Sequence, residues 1–223
     1  MEAVAVAEGD NMSADAPAGQ RPSLTRAAIL DQASEILSSE GVHALSMRRL
    51  SRSVGASTIV LYTHFTDKHD ILNELYVEGF RRLLQELESV TPDADPLGYV
   101  ADLGRAYHRS AIANPSYYQI MFSDCVKGFT PPPDSLAWSR RCFTVLQSAV
   151  EGCETAQILP RGAATPTAQV LWGTLHGLIS LELLGHWGDA AAGEARIEDA
   201  MAILQSGLTR SPATDRDPDP ISR

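Results

Sequence analysis

A single glycine, Gly55, interrupts the stretch LSMRRLSRSVGASTIVLYTHFTDKHDIL between Leu45 and Leu72, and it dictates how that stretch can fold. Glycine adopts positive φ without strain and so ends a helix within one residue. Before it, Leu50 and Val54 are four apart and share one helical face, with Ser46 placed to cap the helix that carries them. After it, Ser57 can cap a second short helix from Thr58 to about His64, which turns Leu61 and Phe65 inward. Thr58, Tyr62, Thr63 and His64 are left as a short polar and aromatic face. Thr66 is expected to cap the helix that follows, with Asp67 in its first turn and Ile71, Leu72 and Leu75 as its first buried residues. Two short helices joined by a glycine-containing turn form a helix-turn-helix, a unit that sets its second helix in the major groove of duplex DNA.

Charge placement agrees with that reading. A net charge of −10, if spread evenly, would repel a phosphate backbone. Residues 21–65, however, carry five Arg against Asp31, Glu35 and Glu40, a net of +2, which leaves −12 on the remainder. Arg48, Arg49 and Arg52 cluster on the first helix of the pair and Lys68 opens the next one, where phosphates can be met. Arg26, near the start of a preceding helix, is expected to face them too. The local excess is modest, so two readers in a dimer would strengthen binding, while the acidic body discourages binding elsewhere.

The segment VGASTIVLYTHFTDKHDIL resembles the recognition segment of the tetracycline-repressor (TetR) family, in which a glycine-centred turn precedes Leu-Tyr-x-His-Phe-x-x-Lys and a Leu. Gly55, Leu61, Tyr62, His64, Phe65, Lys68 and Leu72 occupy those positions, and the resemblance covers about residues 23–72. Leu50-Ser51 stands where the family favours Ile-Ala, and Val54-Gly55-Ala56 where Ala-Gly-Val is usual; both keep the packing pattern. The resemblance implies an all-α transcription regulator of about nine helices, most often a repressor acting as a homodimer on a palindromic operator. It further implies a three-helix DNA-binding domain over 23–68, then a helical effector-binding and dimerisation domain over 69–208.

Base contacts are expected from the N-terminal part of the recognition helix, Ser57, Thr58, Ile59 and Val60, joined by Thr63 and His64. Tyr62 and Lys68 match family positions that commonly contact phosphates, and Arg48 lies where the first helix crosses the backbone. The competing reading of Tyr62 and His64 is packing inside the three-helix unit. The recognition helix has no Arg, Asn or Gln, so methyl contacts and DNA shape are expected to carry much of the specificity.

Elsewhere the chain shows helical periodicity and no strand alternation. Ser23–Ser39 carries Ile29, Ala33, Ile36 and Leu37 at helical spacing and closes at Gly41. Asp67–Val90 is long enough to link the reader to the rest, with Arg81 and Arg82 outward. Helices are further expected over Leu97–Ala113, the short apolar PSYYQIMF, Asp134–Glu154, Thr167–His186 and Glu194–Leu208, with SDCVKGFTPPPD as a loop. Residues 1–22 and 209–223, rich in Ala, Gly, Pro and Asp, read as disordered tails.

Aromatic residues gather in the second half. In TetR-like proteins that half encloses a small-molecule site, and Tyr107, Tyr118, Met121 and Phe122 are its expected lining, with Trp138, Cys142, Trp172 and His176. Leu171-Trp172-Gly173-Thr174-Leu175-His176-Gly177 also resembles the Trp-x-x-x-His-Gly element of one subgroup. An apolar lining of this kind suits a small hydrophobic or aromatic effector, although rings at helical spacing equally describe a core. The last two helices are apolar over a wide arc (Val170, Leu171, Leu175, Leu178; Ile197, Met201, Leu204), which suits a homodimer packed as a four-helix bundle. Gly173 and Gly177 would allow close approach there, and Glu182 is expected at the rim.

Other classes fit poorly. HExxH, GxSxG and a glycine-rich phosphate loop are all missing from the sequence, and His43, His69, His108 and His186 are scattered, so no catalytic residue, metal or cofactor is expected. Cys125, Cys142 and Cys153 lack ligand spacing and read as reduced, buried thiols of a cytoplasmic protein, with a redox sensor as the alternative. No stretch approaches the ~20 apolar residues of a membrane span, and the N-terminus lacks a signal-peptide pattern.

Overall fold

The structure is a computed structural model, and it describes residues 24–41, 43–122 and 129–210. The expected N-terminal tail, residues 211–223 of the expected C-terminal tail, Cys125 and most of the loop after Phe122 lie outside the described residues, while residues 209 and 210, expected in that tail, continue the last helix. Among the described residues the chain is all-α, in nine helices: α1 (Arg26–Glu40), α2 (Met47–Ser53), α3 (Thr58–Tyr62), α4 (Lys68–Glu88), α5 (Pro96–Ala113), α6 (Pro115–Phe122), α7 (Pro133–Thr155), α8 (Ala164–Leu183) and α9 (Ala190–Arg210).

The first three helices are cut by local chemistry. Thr25, Ser46 and Ser57 each accept a hydrogen bond from a backbone N–H in the first turn of α1, α2 and α3. Gly41 and Gly55 take φ of 80° and 65°, so the chain reverses after α1 and again between α2 and α3. Capping of α4 differs from expectation by one residue. Asp67, not Thr66, is the N-cap, accepting from the Asp70 backbone N–H while the Asp70 carboxylate accepts from the Thr66 N–H. That reciprocal pair satisfies two orphan amides at once, which a threonine cap one residue earlier would not do.

Leu61, Phe65, Ile71 and Leu72 close a small core with Ile29, Leu45 and Leu50, all at most 2 % exposed. From there α4 runs into the larger body, where it lies against α5, α6 and α7, while α8 and α9 pack on the far side of α5 and α7. Its buried face, Leu75, Phe80, Leu83, Leu84 and Leu87, belongs to the same continuous core as Leu103, Val150, Leu171, Leu175 and Ile179. Helix α4 therefore belongs to both parts.

Polar cross-links correct three expectations. Arg82 does not point outward: it donates to Glu78 (2.9 Å), Asn114 (3.0 Å) and Asp31 (2.7 Å), and lies 4.2 Å over the Tyr117 ring. Arg26 stacks 4.3 Å over Phe65, pairs with Glu74 and donates to the His64 carbonyl, so it pins α1 to the junction of α3 and α4 instead of reaching for phosphate. Glu182 is not a rim residue; its carboxylate accepts from His108 Nε2 at 2.8 Å, with both side chains about nine-tenths buried. A buried carboxylate without such a partner would be strongly disfavoured, which explains the pairing.

Candidate functional site

Helix α3 presents an outer face that the rest of the chain does not cover. Leu61 is fully buried, whereas Ile59 is 76 %, Tyr62 57 % and Val60 38 % exposed. Large apolar side chains left in water on a helix of five residues, whose inner face is fully committed to the core, mark a contact surface. Ser57 and Thr63 are also exposed, though each hydroxyl already serves its own helix: Ser57 caps, and Thr63 donates to the Val60 carbonyl at 2.6 Å. Thr58 and His64 are half-buried at the edges of the face, and Tyr62 is not packed inside the unit. Arg48 and Arg52 are exposed on α2, whereas Arg49 is engaged by Glu40, which raises the guanidinium pKa and lowers that of the carboxyl. The expected set from Arg48 to Lys68 thus lies around α2, α3 and the first residue of α4.

A second site lies in the body. An apolar cavity of about 40 Å³ is enclosed by Phe80, Leu83 and Leu87 of α4, Leu103, Gly104 and Tyr107 of α5, and Phe122 of α6. Ser139, Cys142, Phe143 and Leu146 of α7 and Trp172 and Leu175 of α8 complete it. Of the expected residues Tyr107, Phe122, Cys142 and Trp172 line it. Tyr118 and His176, with Phe122, line instead an open bay of about 290 Å³ beside Ser180, Leu183 and Leu184. Met121 packs on Gly79, where a Cβ would meet its sulfur at 2.6 Å, and Trp138 lies under the Arg141 guanidinium at 4.6 Å; neither lines the cavity or the bay.

Between cavity and bay runs a chain of hydrogen bonds. The Trp172 indole N–H donates to the Tyr107 hydroxyl (3.4 Å), which donates to Tyr118 (3.3 Å), and both hydroxyls lie within hydrogen-bond reach of His176 Nδ1, Tyr118 at 2.6 Å and Tyr107 at 3.4 Å. Burial pushes both tyrosine pKa values up and that of His176 down, so all members are neutral near pH 7.

Comparison with known proteins follows the same division. The sequence model described as "Bacterial regulatory proteins, tetR family" matches residues 29–75, and the one described as "Tetracyclin repressor-like, C-terminal domain" matches residues 100–204. The chain belongs to the TetR family. It is therefore a DNA-binding transcriptional regulator and not an enzyme. Among curated TetR-type relatives, the uncharacterized HTH-type regulator YobS of Bacillus subtilis is 32 % identical over 99 residues, 44 % of this chain and 52 % of YobS; the match spans about half that protein's length. Solved neighbours include the TetR-family regulator PfmR of Thermus thermophilus (20 % identity, TM-score 0.70, 84 % of this chain and 99 % of PfmR). FadR of Bacillus subtilis, in complex with stearoyl-CoA, superposes at TM-score 0.69 with 16 % identity over 80 % of this chain and 97 % of FadR. Both structural likenesses are likenesses of fold.

Most of the cavity wall of this TetR regulator was not named from the sequence. Phe80, Leu83 and Leu87 repeat on α4 at intervals that describe any buried helix face, and only the tertiary packing shows that they surround a space. Cys142 does line it, but its thiol is pushed up to about 12 by burial and donates to the Phe80 carbonyl at 3.3 Å. At pH 8 its thiolate fraction is therefore tiny. Alkylation of the folded protein at that pH, followed by peptide mapping, is expected to leave Cys142 unmodified and to label it only after denaturation. Rapid native labelling would revive the redox alternative.

No described helix is long and apolar enough to cross a membrane, and the described residues hold no cluster of three or more potential metal ligands. The outer faces of α8 and α9 remain uncovered. Val170 (60 %), Leu181 (38 %), Leu184 (71 %) and Ile203 (71 %) are exposed, and a Cβ at Gly173 or Gly177 would meet nothing within 4 Å. Leu171, Leu175, Ile197 and Met201, expected on an interface, are instead buried inside the chain.

Proposed function

We propose that this regulator represses transcription as a homodimer on a palindromic operator and releases it when a small hydrophobic effector binds in the body. Residues 23–68 act as the reader and residues 69–208 as the effector-binding and dimerisation part. The observation that carries the reading is the uncovered face of α3, where Ile59, Val60 and Tyr62 project from a helix whose other side is locked into the core. Such side chains can meet thymine methyl groups in a major groove, with Thr58 and His64 beside them. Arg48 and Lys68 flank the face and meet phosphates, and a two-fold mate sets a second α3 about one helical turn (~34–36 Å) along the duplex.

The bare line on α8, Val170, Gly173, Gly177, Leu181 and Leu184, repeats at intervals of three and four residues. Together with Ile203 on α9 it supplies a self-complementary apolar strip, and its glycines admit a partner helix closely. An effector is supported by the apolar cavity, whose wall includes α4. At about 40 Å³ the cavity is far smaller than the ~300 Å³ or more of a typical ligand site, so an occupant must push its walls apart. Displacement of Phe80, Leu83 and Leu87 moves α4, and α4 starts only a few residues after α3. The effector thereby favours a spacing of the two readers that does not fit DNA. FadR, which shares the fold, was solved with stearoyl-CoA bound, an example of a lipophilic ligand in a chain of this shape.

The test begins with selection of bound fragments from genomic DNA. A palindromic site is expected, and Tyr62→Ala should weaken binding about equally at matched and mismatched sites, whereas Thr58→Ala should relax preference at one base pair by ~1–3 kcal/mol. A protein that selects no fragment at low salt, or that elutes only as a monomer, would refute the reading.

A further inference from the structure

We propose that Ile59 is the specificity-determining residue of the reader, and that it recognises the 5-methyl group of a pyrimidine, thymine or 5-methylcytosine alike. This deepens the reading of α3 as the helix that enters the major groove and rests on it. Ile59 is the most exposed large apolar side chain among the described residues. An α-helix turns about 100° per residue, so Ile59 stands about 200° round from Leu61, almost opposite it. Leu61 is the residue that buries α3, and it therefore aims Ile59 away from the protein. Val60 and Tyr62, each about 100° from Leu61, form the two flanks of the same ridge. With the exposed Arg48 and Arg52 of α2 to meet phosphates, the crest of this ridge faces the floor of the groove, where the bases show their edges.

The chemistry of the crest selects what it can meet. Helix α3 reads TIVLY and holds no charged or amide side chain. Base edges in the major groove present hydrogen-bond donors and acceptors, and their one apolar projection is the methyl on C5 of thymine. Isoleucine over a donor or acceptor strips its water and returns no hydrogen bond. Over a C5-methyl the same side chain buries apolar surface on both partners. Thymine and 5-methylcytosine share that methyl and differ at C4, a carbonyl oxygen in one and an amino group in the other. Telling them apart takes a fixed donor or acceptor. The hydroxyls of Ser57, Thr58 and Tyr62 donate or accept as they rotate, and a neutral His64 can present either tautomer. Thr63 turns its proton back to the Val60 carbonyl. At the pair beneath Ile59 the methyl is therefore what is read, and methylation of a cytosine there creates a contact for this regulator.

The experiment is fluorescence-anisotropy titration of the full chain, at one fixed salt concentration, with a duplex recovered by selection from genomic DNA. Each thymine of a half-site is replaced in turn by deoxyuridine, which removes only the methyl, and each T·A pair by C·G with and without a methyl on the cytosine. At one position deoxyuridine is expected to weaken binding about fourfold, the worth of one buried methyl, and 5-methylcytosine to bind about fourfold more tightly than cytosine. In Ile59→Ala both differences should shrink to less than about 1.5-fold, while the deoxyuridine duplex binds within about threefold of its affinity for the parent protein. Equal binding of thymine and deoxyuridine at every position, or of cytosine and 5-methylcytosine, would overturn the inference and leave α3 as the reader. A methyl effect that survives in Ile59→Ala, or loss of the deoxyuridine duplex in that variant, would overturn the assignment to Ile59. A protein that binds no duplex at low salt would remove the reading of α3 and this inference with it.

Discussion

Replacing Phe65 with alanine is expected to lower the stability of the protein by about 3–5 kcal/mol, the range for truncating a fully buried phenylalanine. The ring is 1 % exposed, beside the equally buried Leu61, Ile29 and Ile71, and it carries the Arg26 guanidinium on its outer side at 4.3 Å. Truncation opens a cavity and also frees Arg26, whose other contacts are to Glu74 and the His64 carbonyl. The consequence for function is disproportionate. With only five residues, α3 is far below the length at which a helix holds itself together in water. It persists because Ser57 caps it and because Leu61 and Phe65 bolt it to α1 and α4. DNA binding is therefore expected to fall by much more than global unfolding alone would remove, since the reader melts before the body does. Phe65→Leu, which keeps most of the volume, should cost less than about 1.5 kcal/mol and retain binding. Urea melts followed by tryptophan fluorescence, which reports on the body, and by far-UV circular dichroism, which reports on all helices, separate the two events. If Phe65→Ala melts within about 1 kcal/mol of the parent, the small core around α3 is not closed in the way described.

The reader was legible because its determinants are local. Ser46, Gly55 and Ser57 each act within three residues of themselves, and the spacing of Leu61 and Phe65 is enough to orient α3. Where local signals compete or are missing, the sequence reading slipped. Thr66 and Asp67 are both good caps, and the choice between them was made by Asp70, which closes a reciprocal bond only if Asp67 caps. Helices α7 and α8 begin without any side-chain cap, at Pro133 and Ala164, so the expected starts at Asp134 and Thr167 fell inside them; the expected start of α9 at Glu194 likewise lies past Ala190. In the body, composition identified the region of the cavity but not its geometry. Trp172 and His176 are four apart on one helix, yet one faces the inner space and the other the outer bay, because Phe122 from α6 stands between them. The same limit applies to the apolar arc of α8 and α9. Periodicity shows that a broad face is apolar, and only packing divides it into a buried half at Leu171, Leu175 and Ile197 and a bare half at Val170, Leu184 and Ile203. Arg82 was the clearest miss. Nothing in the sequence near an arginine on the flank of a helix announces a carboxylate fifty-one residues earlier.

That arginine leads to the second large effect. Arg82→Ala is expected to destabilise the protein by roughly 1.5–3 kcal/mol, the range for losing hydrogen bonds between charged groups in a partly buried setting. The guanidinium serves three acceptors on three elements, Asp31 of α1, Glu78 of α4 and Asn114 at the start of α6, at 2.7, 2.9 and 3.0 Å. Asp31 also accepts from the Tyr117 hydroxyl at 2.9 Å, so α1 is held to α6 from two directions. Removing Arg82 leaves Glu78, only 8 % exposed, with Arg81 as its remaining cation. Lysine should not rescue, because one ammonium on a flexible stem cannot reproduce a planar fork aimed at three acceptors and stacked on Tyr117. The functional outcome separates a joint from a mere prop. Helix α1 belongs to the reader, and α6 carries Phe122 into the cavity wall, so this cluster touches an element of each. In Arg82→Lys, at a temperature where the variant stays folded, operator binding is expected to weaken and its response to effector to shrink together. A double-mutant cycle with Tyr117→Phe should show a coupling above about 0.5 kcal/mol. If Arg82→Lys keeps both operator affinity and effector response, the cluster holds the fold without linking the two sites, and α4 alone must carry the signal.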